Sequence, residues 1–173
     1  MNYHLGGGGF AWQLPQQLRE GKGYSYNIRS GFYGENNNGP GMISSGVRTN
    51  ITYDAVKLIK EILEDYPLNY DQEDLEITKG FMIKSAARKF ETLNSKLGML
   101  SDISNYDLDH NYIKQRENLV NNILALEIQE LAEKYINPEK MYFLIVGDAE
   151  SQLEKLEELG LGKPVLLNKK EEQ

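Results

Sequence analysis

Residues 18–26 read LREGKGYSY, and the way this stretch turns decides the architecture around it. Upstream, Phe10, Leu14 and Leu18 recur every four positions, the spacing of one helix face. Gly21 and Gly23 end that helix. Downstream, YSYNIRSGFYG (24–34) alternates. Tyr24, Tyr26, Ile28, Ser30 and Phe32 fall on one face and Ser25, Asn27 and Arg29 on the other, which is the period of a strand. The stretch is therefore a helix end, a glycine turn and a strand start. It leaves Arg19 and Tyr26, seven positions apart, at the two ends of one corner. A structural reading makes them a helix-end cation and a half-buried ring sharing the face of Ile28. A functional reading makes them two hydrogen-bond donors aimed at one oxygen.

Working outward, Pro15 is tolerated only near a helix start, so the helix begins close to Gln13 or Leu14. The loop ENNNGPG (35–41) and the run MISSGVR (42–48) complete an antiparallel hairpin over 24–48. Thr52 or Asp54 caps a helix over 53–65, with Ala55, Leu58, Ile59, Ile62 and Leu63 on one face, and Pro67 closes it. Asp71 opens a long helical stretch through Leu75, Met82, Phe90, Leu93 and Leu97, bent at Gly98. SDISNYDLDH (101–110) reads as a weakly helical junction. Another helical region runs from about 112 to 135, broken near 121–124, and Asn137-Pro138 stops it. MYFLIV (141–146) is short and continuously apolar, the mark of a central strand. SQLEKLEELG (151–160) is an amphipathic helix, PVLL (164–167) a last edge strand, and 169–173 a frayed tail. The order defines one α+β domain over 1–168, with helices packed on one face of a mostly antiparallel sheet.

The 173 residues suffice for one domain with a real core. The net charge of −7 argues against nucleic acid, which needs a basic face. No stretch is long and apolar enough to span a membrane. Cysteine is absent, which excludes disulfides and thiol catalysis. The opening MNYHLGGGG reads like the middle of a domain, so the chain is expected to be a fragment of a larger one. Gly6–Gly9 lack the Gly-Lys-Ser/Thr ending of a phosphate loop and read as a close-packed turn. The two histidines, His4 and His110, have no metal-ligand spacing. EDLE (73–76) and EKLEEL (154–159) read as solvated helix faces.

These residues together carry a resemblance. NYHLGG (2–7), the leucine of the next helix and LREGKGYSY are similar to the Asn-x-x-Leu-Gly-Gly … Leu-Arg-Glu-x-x-Gly-Leu-x-Tyr signature of the insulinase-like zinc metallopeptidases, the family of pitrilysin and the mitochondrial processing peptidase. VRTNITYDAVKLIKEIL (47–63), EDLEITKG (73–80) and LAEKYINPEKMYFLIVGD (131–148) resemble later segments in the right order. The resemblance covers nearly the whole chain. It departs at Trp12-Gln13, where the family often has Ser-Arg, and in lacking the strand that normally precedes the first helix. That leaves the sheet an open edge, which an isolated chain could fill by pairing with another copy.

The resemblance implies paired α+β domains enclosing a chamber. One domain holds zinc through His-x-x-Glu-His, and its partner contributes an Arg and a Tyr to the same cleft. This chain has no such motif, so it resembles the partner domain, inactive alone, with no cofactor of its own and zinc expected in its partner. Arg19 and Tyr26 fall on the family's pair. Their implied role is to hold a peptide substrate by its carbonyls and to stabilise the oxyanion formed on hydrolysis. The alternative is a structural or interaction domain of the same family that has lost catalysis.

Overall fold

A computed structural model describes residues 1–9, 12–34, 39–86 and 91–167. Phe10 and Phe90 as core positions, the centre of the 35–41 loop and the 169–173 tail lie outside the described residues.

The chain begins with a single wide helical turn, Tyr3–Gly7. Gly8 and Gly9 then reverse it. A side chain at Gly8 would run into the Trp12 indole and the Tyr3 ring, and Gly9 has φ +125°, which L-residues avoid. The quartet is thus a close-packed turn. Helix α1 starts at Gln13, with Pro15 in its first turn, and comprises Gln13–Pro15 continuing as the wider Gln16–Gly21. Strands β1 (Ser25–Phe32) and β2 (Gly41–Val47) form the antiparallel hairpin.

The helices follow in the expected order. They are α2 (Thr52–Asn69), α3 (Gln72–Ala86), α4 (Leu93–Tyr106), α5 (Tyr112–Asn122), α6 (Ala125–Tyr135) and α7 (Ala149–Glu157). The break between α5 and α6 falls at Ile123-Leu124, where the Leu124 N–H donates to Glu127 Oε2 at 2.7 Å. Asp71 and Asp74 cap the start of α3 reciprocally, each backbone N–H donating to the other's carboxylate.

Four helix expectations need correction. The stretch opened at Asp71 is not one helix through Leu97: α3 ends at Ala86, and α4 begins anew at Leu93, where the Thr92 side chain accepts the Ser95 N–H, and runs on to Tyr106 through much of the expected junction. Pro67 does not end α2, which continues to Asn69. Buried Tyr66 and Tyr70 on either side of the proline anchor this last stretch in the core. Neither Thr52 nor Asp54 caps α2; the Thr52 hydroxyl donates backwards to the Arg48 carbonyl at 3.3 Å. Gly98 does not interrupt α4, which continues through it and ends where Asp107 turns left-handed at φ 49°.

The core joins the N-terminal segments to α2, α3 and α6 through Leu5, Leu14, Leu18, Ile28, Leu63, Tyr66, Leu75 and Ile128. Tyr66 donates its hydroxyl to the Met1 carbonyl at 2.8 Å, and Gln129 Nε2 donates to the Tyr70 carbonyl at 2.6 Å. These bonds tie the chain start and α6 to α2. Trp12, the sole tryptophan, packs edge-on against Tyr3, His4 and Phe81.

The sheet is smaller than expected. Among the described residues it consists of β1 and β2 alone. Residues 141–146 show the exposure rhythm of a strand: Met141, Phe143 and Ile145 are half-buried, while Tyr142, Leu144 and Val146 are exposed. Yet they join no ladder, and neither do 164–167. The apolar run was legible; its neighbour strand is not present among the described residues, and without one a strand cannot form its bonds.

Candidate functional site

The corner at 18–26 is built by short backbone bonds. The Gly23 N–H donates to the Arg19 carbonyl at 3.0 Å, and the Tyr24 N–H to the Leu18 carbonyl at 2.7 Å. Gly23 takes φ +63°, a conformation that suits glycine. Leu18 is fully buried below, which holds the last turn of α1 and with it the neighbouring Arg19.

At the far side of the corner the alternation slips. The pairing of β1 with β2 is regular from Asn27 to Phe32 but irregular between Ser25 and Asn27. Such a bulge shifts side chains to the other face. Ser25 turns inward and Tyr26 turns out, 84% exposed. The expected half-buried Tyr26, sharing a face with Ile28, is therefore corrected: Ile28 is buried and Tyr26 is not. The buried Ser25 hydroxyl fixes the bulge. It donates to the Gly46 carbonyl at 3.1 Å, accepts the Asn27 N–H at 3.2 Å, and lies 2.6 Å from the Ser45 hydroxyl.

The outcome is a stacked pair. The Arg19 guanidinium carbon lies 5.2 Å from the centre of the Tyr26 ring, within range of a cation–π contact. Arg19 Nε also pairs with Glu20 Oε1 at 3.3 Å. Both side chains reach solvent, Arg19 partly and Tyr26 almost fully. The pair brings a guanidinium and a phenol to one corner, and such donors suit a carbonyl or an anionic oxygen.

The histidines part company. His110 is exposed. His4 is buried among Trp12, Tyr66 and Tyr70, with its Nε2 3.1 Å from Asp74 Oδ1 and its Nδ1 without a hydrogen-bond partner among the described residues. Burial holds the imidazole below its usual pKa, against the opposing pull of Asp74. Burial likewise raises the Tyr66 and Tyr70 phenols. No motif or spacing in the Sequence analysis marks this cluster. Among the described residues no group of three or more His, Cys, Asp or Glu side chains could hold a metal ion. Among the described residues no helix is long and apolar enough to cross a membrane.

Comparison with protein-family models gives no match, and comparison with curated proteins gives none either. Comparison with solved structures does. The chain is similar to the crystal structure of a peptidase M16 inactive domain from Pseudomonas fluorescens, with a TM-score of 0.72 and 26% identity. The match covers 79% of this chain and 32% of that one, so this chain spans about a third of its neighbour. The fold is M16-like, and it is α+β with an antiparallel pair of strands.

Proposed function

We propose that this chain is the non-zinc, partner-type domain of a zinc-dependent peptidase of the insulinase-like class. It has no hydrolytic activity alone and supports catalysis beside a zinc-bearing domain or subunit. The observation that carries the reading is the Arg19–Tyr26 contact on an accessible corner, with the guanidinium carbon 5.2 Å from the centre of the phenol ring. The similarity to an M16 inactive domain supports the class.

In this reading Arg19 holds a backbone carbonyl of an extended peptide, and its stack on Tyr26 fixes the direction of both groups. The Tyr26 hydroxyl donates to the oxygen that gains charge as the peptide carbonyl becomes tetrahedral. A donor of that kind acts more strongly on the transition state than on the substrate. The zinc belongs to the partner, and no residue of this chain is assigned to it.

The test is peptide hydrolysis by this chain mixed with its zinc-bearing partner, using wild type and Tyr26→Phe. Activity on mixing and a large loss with Phe are expected. Full activity with Tyr26→Phe would remove the hydroxyl from the mechanism. A confirmed complex with no activity in any mixture would favour the second reading, a structural domain of the same family. That reading draws on the exposed apolar row Tyr142, Leu144 and Val146, which suits a docking face.

A further inference from the structure

The outer face of the hairpin carries a charge that runs against the rest of the chain. Ile28 and Ser30 are buried, so Asn27, Arg29 and Gly31 alternate with them on the face turned away from the helices. Across the ladder they pair with Gly46, Ser44 and Met42, which share that face. The surface around Arg29 is low. Exposed Ser44 stands opposite, and a side chain at Gly46, on the diagonal, would meet nothing within 4 Å. Towards the hairpin loop the Tyr33 ring closes over Gly31, 3.1 Å from where a Cβ would sit. At the other end lies the Tyr26 corner. An occupant that pairs with the free edge of β2 extends the sheet sideways and does not cover this face.

Electrostatics select what suits it. Glu20 offsets the charge of Arg19. Arg29 is exposed and has no ion pair among the described residues, and the same holds for Arg48, which follows β2 at the Tyr26 end. No Asp or Glu stands among the described residues of 24–48. On a chain of net charge −7 this face is therefore locally cationic. A guanidinium with its donors open matches a carboxylate, which it holds by two parallel bonds. From Tyr26 to Arg29 the strand advances about 10 Å at about 3.3 Å per residue. An extended peptide lying along it advances at the same rate, so one bound segment reaches both side chains.

We propose that Arg29 is a specificity-determining residue, selecting extended peptides that carry an aspartate or glutamate a few positions from the carbonyl at Tyr26. The inference rests on the peptidase reading for its occupant, but the selection is one of binding and is measured without hydrolysis.

Fluorescence anisotropy on the 173-residue chain tests it at low salt. The probes are three end-blocked, dye-labelled peptides, identical but for a central Glu, Gln or Lys. The net charge of −7 by itself favours the Lys peptide. The Glu peptide should instead bind about threefold to fivefold more tightly than the Gln peptide, the share of one exposed ion pair. Arg29→Gln should erase that gap, and Arg29→Glu should reverse it in favour of Lys, with circular dichroism unchanged in both. No preference for Glu in the wild type overturns the proposal, as does a Glu preference that survives in Arg29→Glu. Tyr26→Phe should leave the preference intact. An intact Glu preference with no cleavage in any mixture with a zinc-bearing partner would count against the peptidase reading and not against selection by Arg29.

Discussion

The guanidinium of Arg19 rests on the face of Tyr26, 5.2 Å from the ring centre, although one side chain leaves a helix end and the other a strand bulge. Neither element alone would bring them together. The turn through Gly23 sets their separation, and the slip at Ser25 puts the phenol on the same side as the arginine.

Tyr26→Phe keeps the ring and the stack but removes the hydroxyl. Stability should change by no more than about 0.5 kcal/mol, as at other exposed positions. Partner-assisted peptide hydrolysis should fall on the order of 10²-fold. Denaturant melts and rate measurements on the same samples separate the two effects. A loss of rate matched by an equal loss of stability would make the effect structural.

Ser25→Ala strips the bulge of its fixing hydroxyl. Three bonds converge on that oxygen, and the site is buried. The expected cost is about 1–2 kcal/mol, because the Asn27 N–H and the Ser45 hydroxyl lose a buried partner. Urea unfolding measures it. A neutral outcome would mean that the turn, not Ser25, holds the register.

His4 should make stability depend on pH. Its folded pKa lies below the unfolded value of about 6.5, so the unfolded chain binds the extra proton first. Stability is then fully present above about pH 6.5 and falls as pH drops towards the folded pKa. His4→Gln should flatten this limb below about pH 6.5. The opposite slope in the wild type would show that Asp74, not burial, governs the imidazole.

Gly98→Ala should stabilise the protein by about 0.5–1 kcal/mol. Gly98 is exposed in the interior of α4, and a methyl group there meets nothing within 4 Å. A thermal melt decides. Destabilisation would mean that α4 is not helical through this position.

The same residue shows where sequence reading overreached. A glycine inside a helical period costs little enough that the flanking turns carry the helix across it. Pro67 misled in a similar way, since buried tyrosines on both sides extend α2 past the proline. By contrast, the α5–α6 break, the hairpin and α7 were legible, because turn residues and apolar spacing agreed there. Arg19 and Tyr26 were legible as a pair, but not the exposure of Tyr26. A one-residue slip inverts alternation, and nothing in YSYNI marks where it falls. The strand at 141–146 was legible as a pattern only, because pairing depends on a neighbour that the pattern does not contain.

Trp12 is the chain's one indole, and its ring centre stands 5.3 Å from that of His4. Protonated imidazole quenches indole emission, so the fluorescence of the native protein doubles as an optical gauge of the His4 charge. One emission band, followed in acid titration without any label, would report when the first turn of the chain takes up its proton, and whether it does so before the fold gives way.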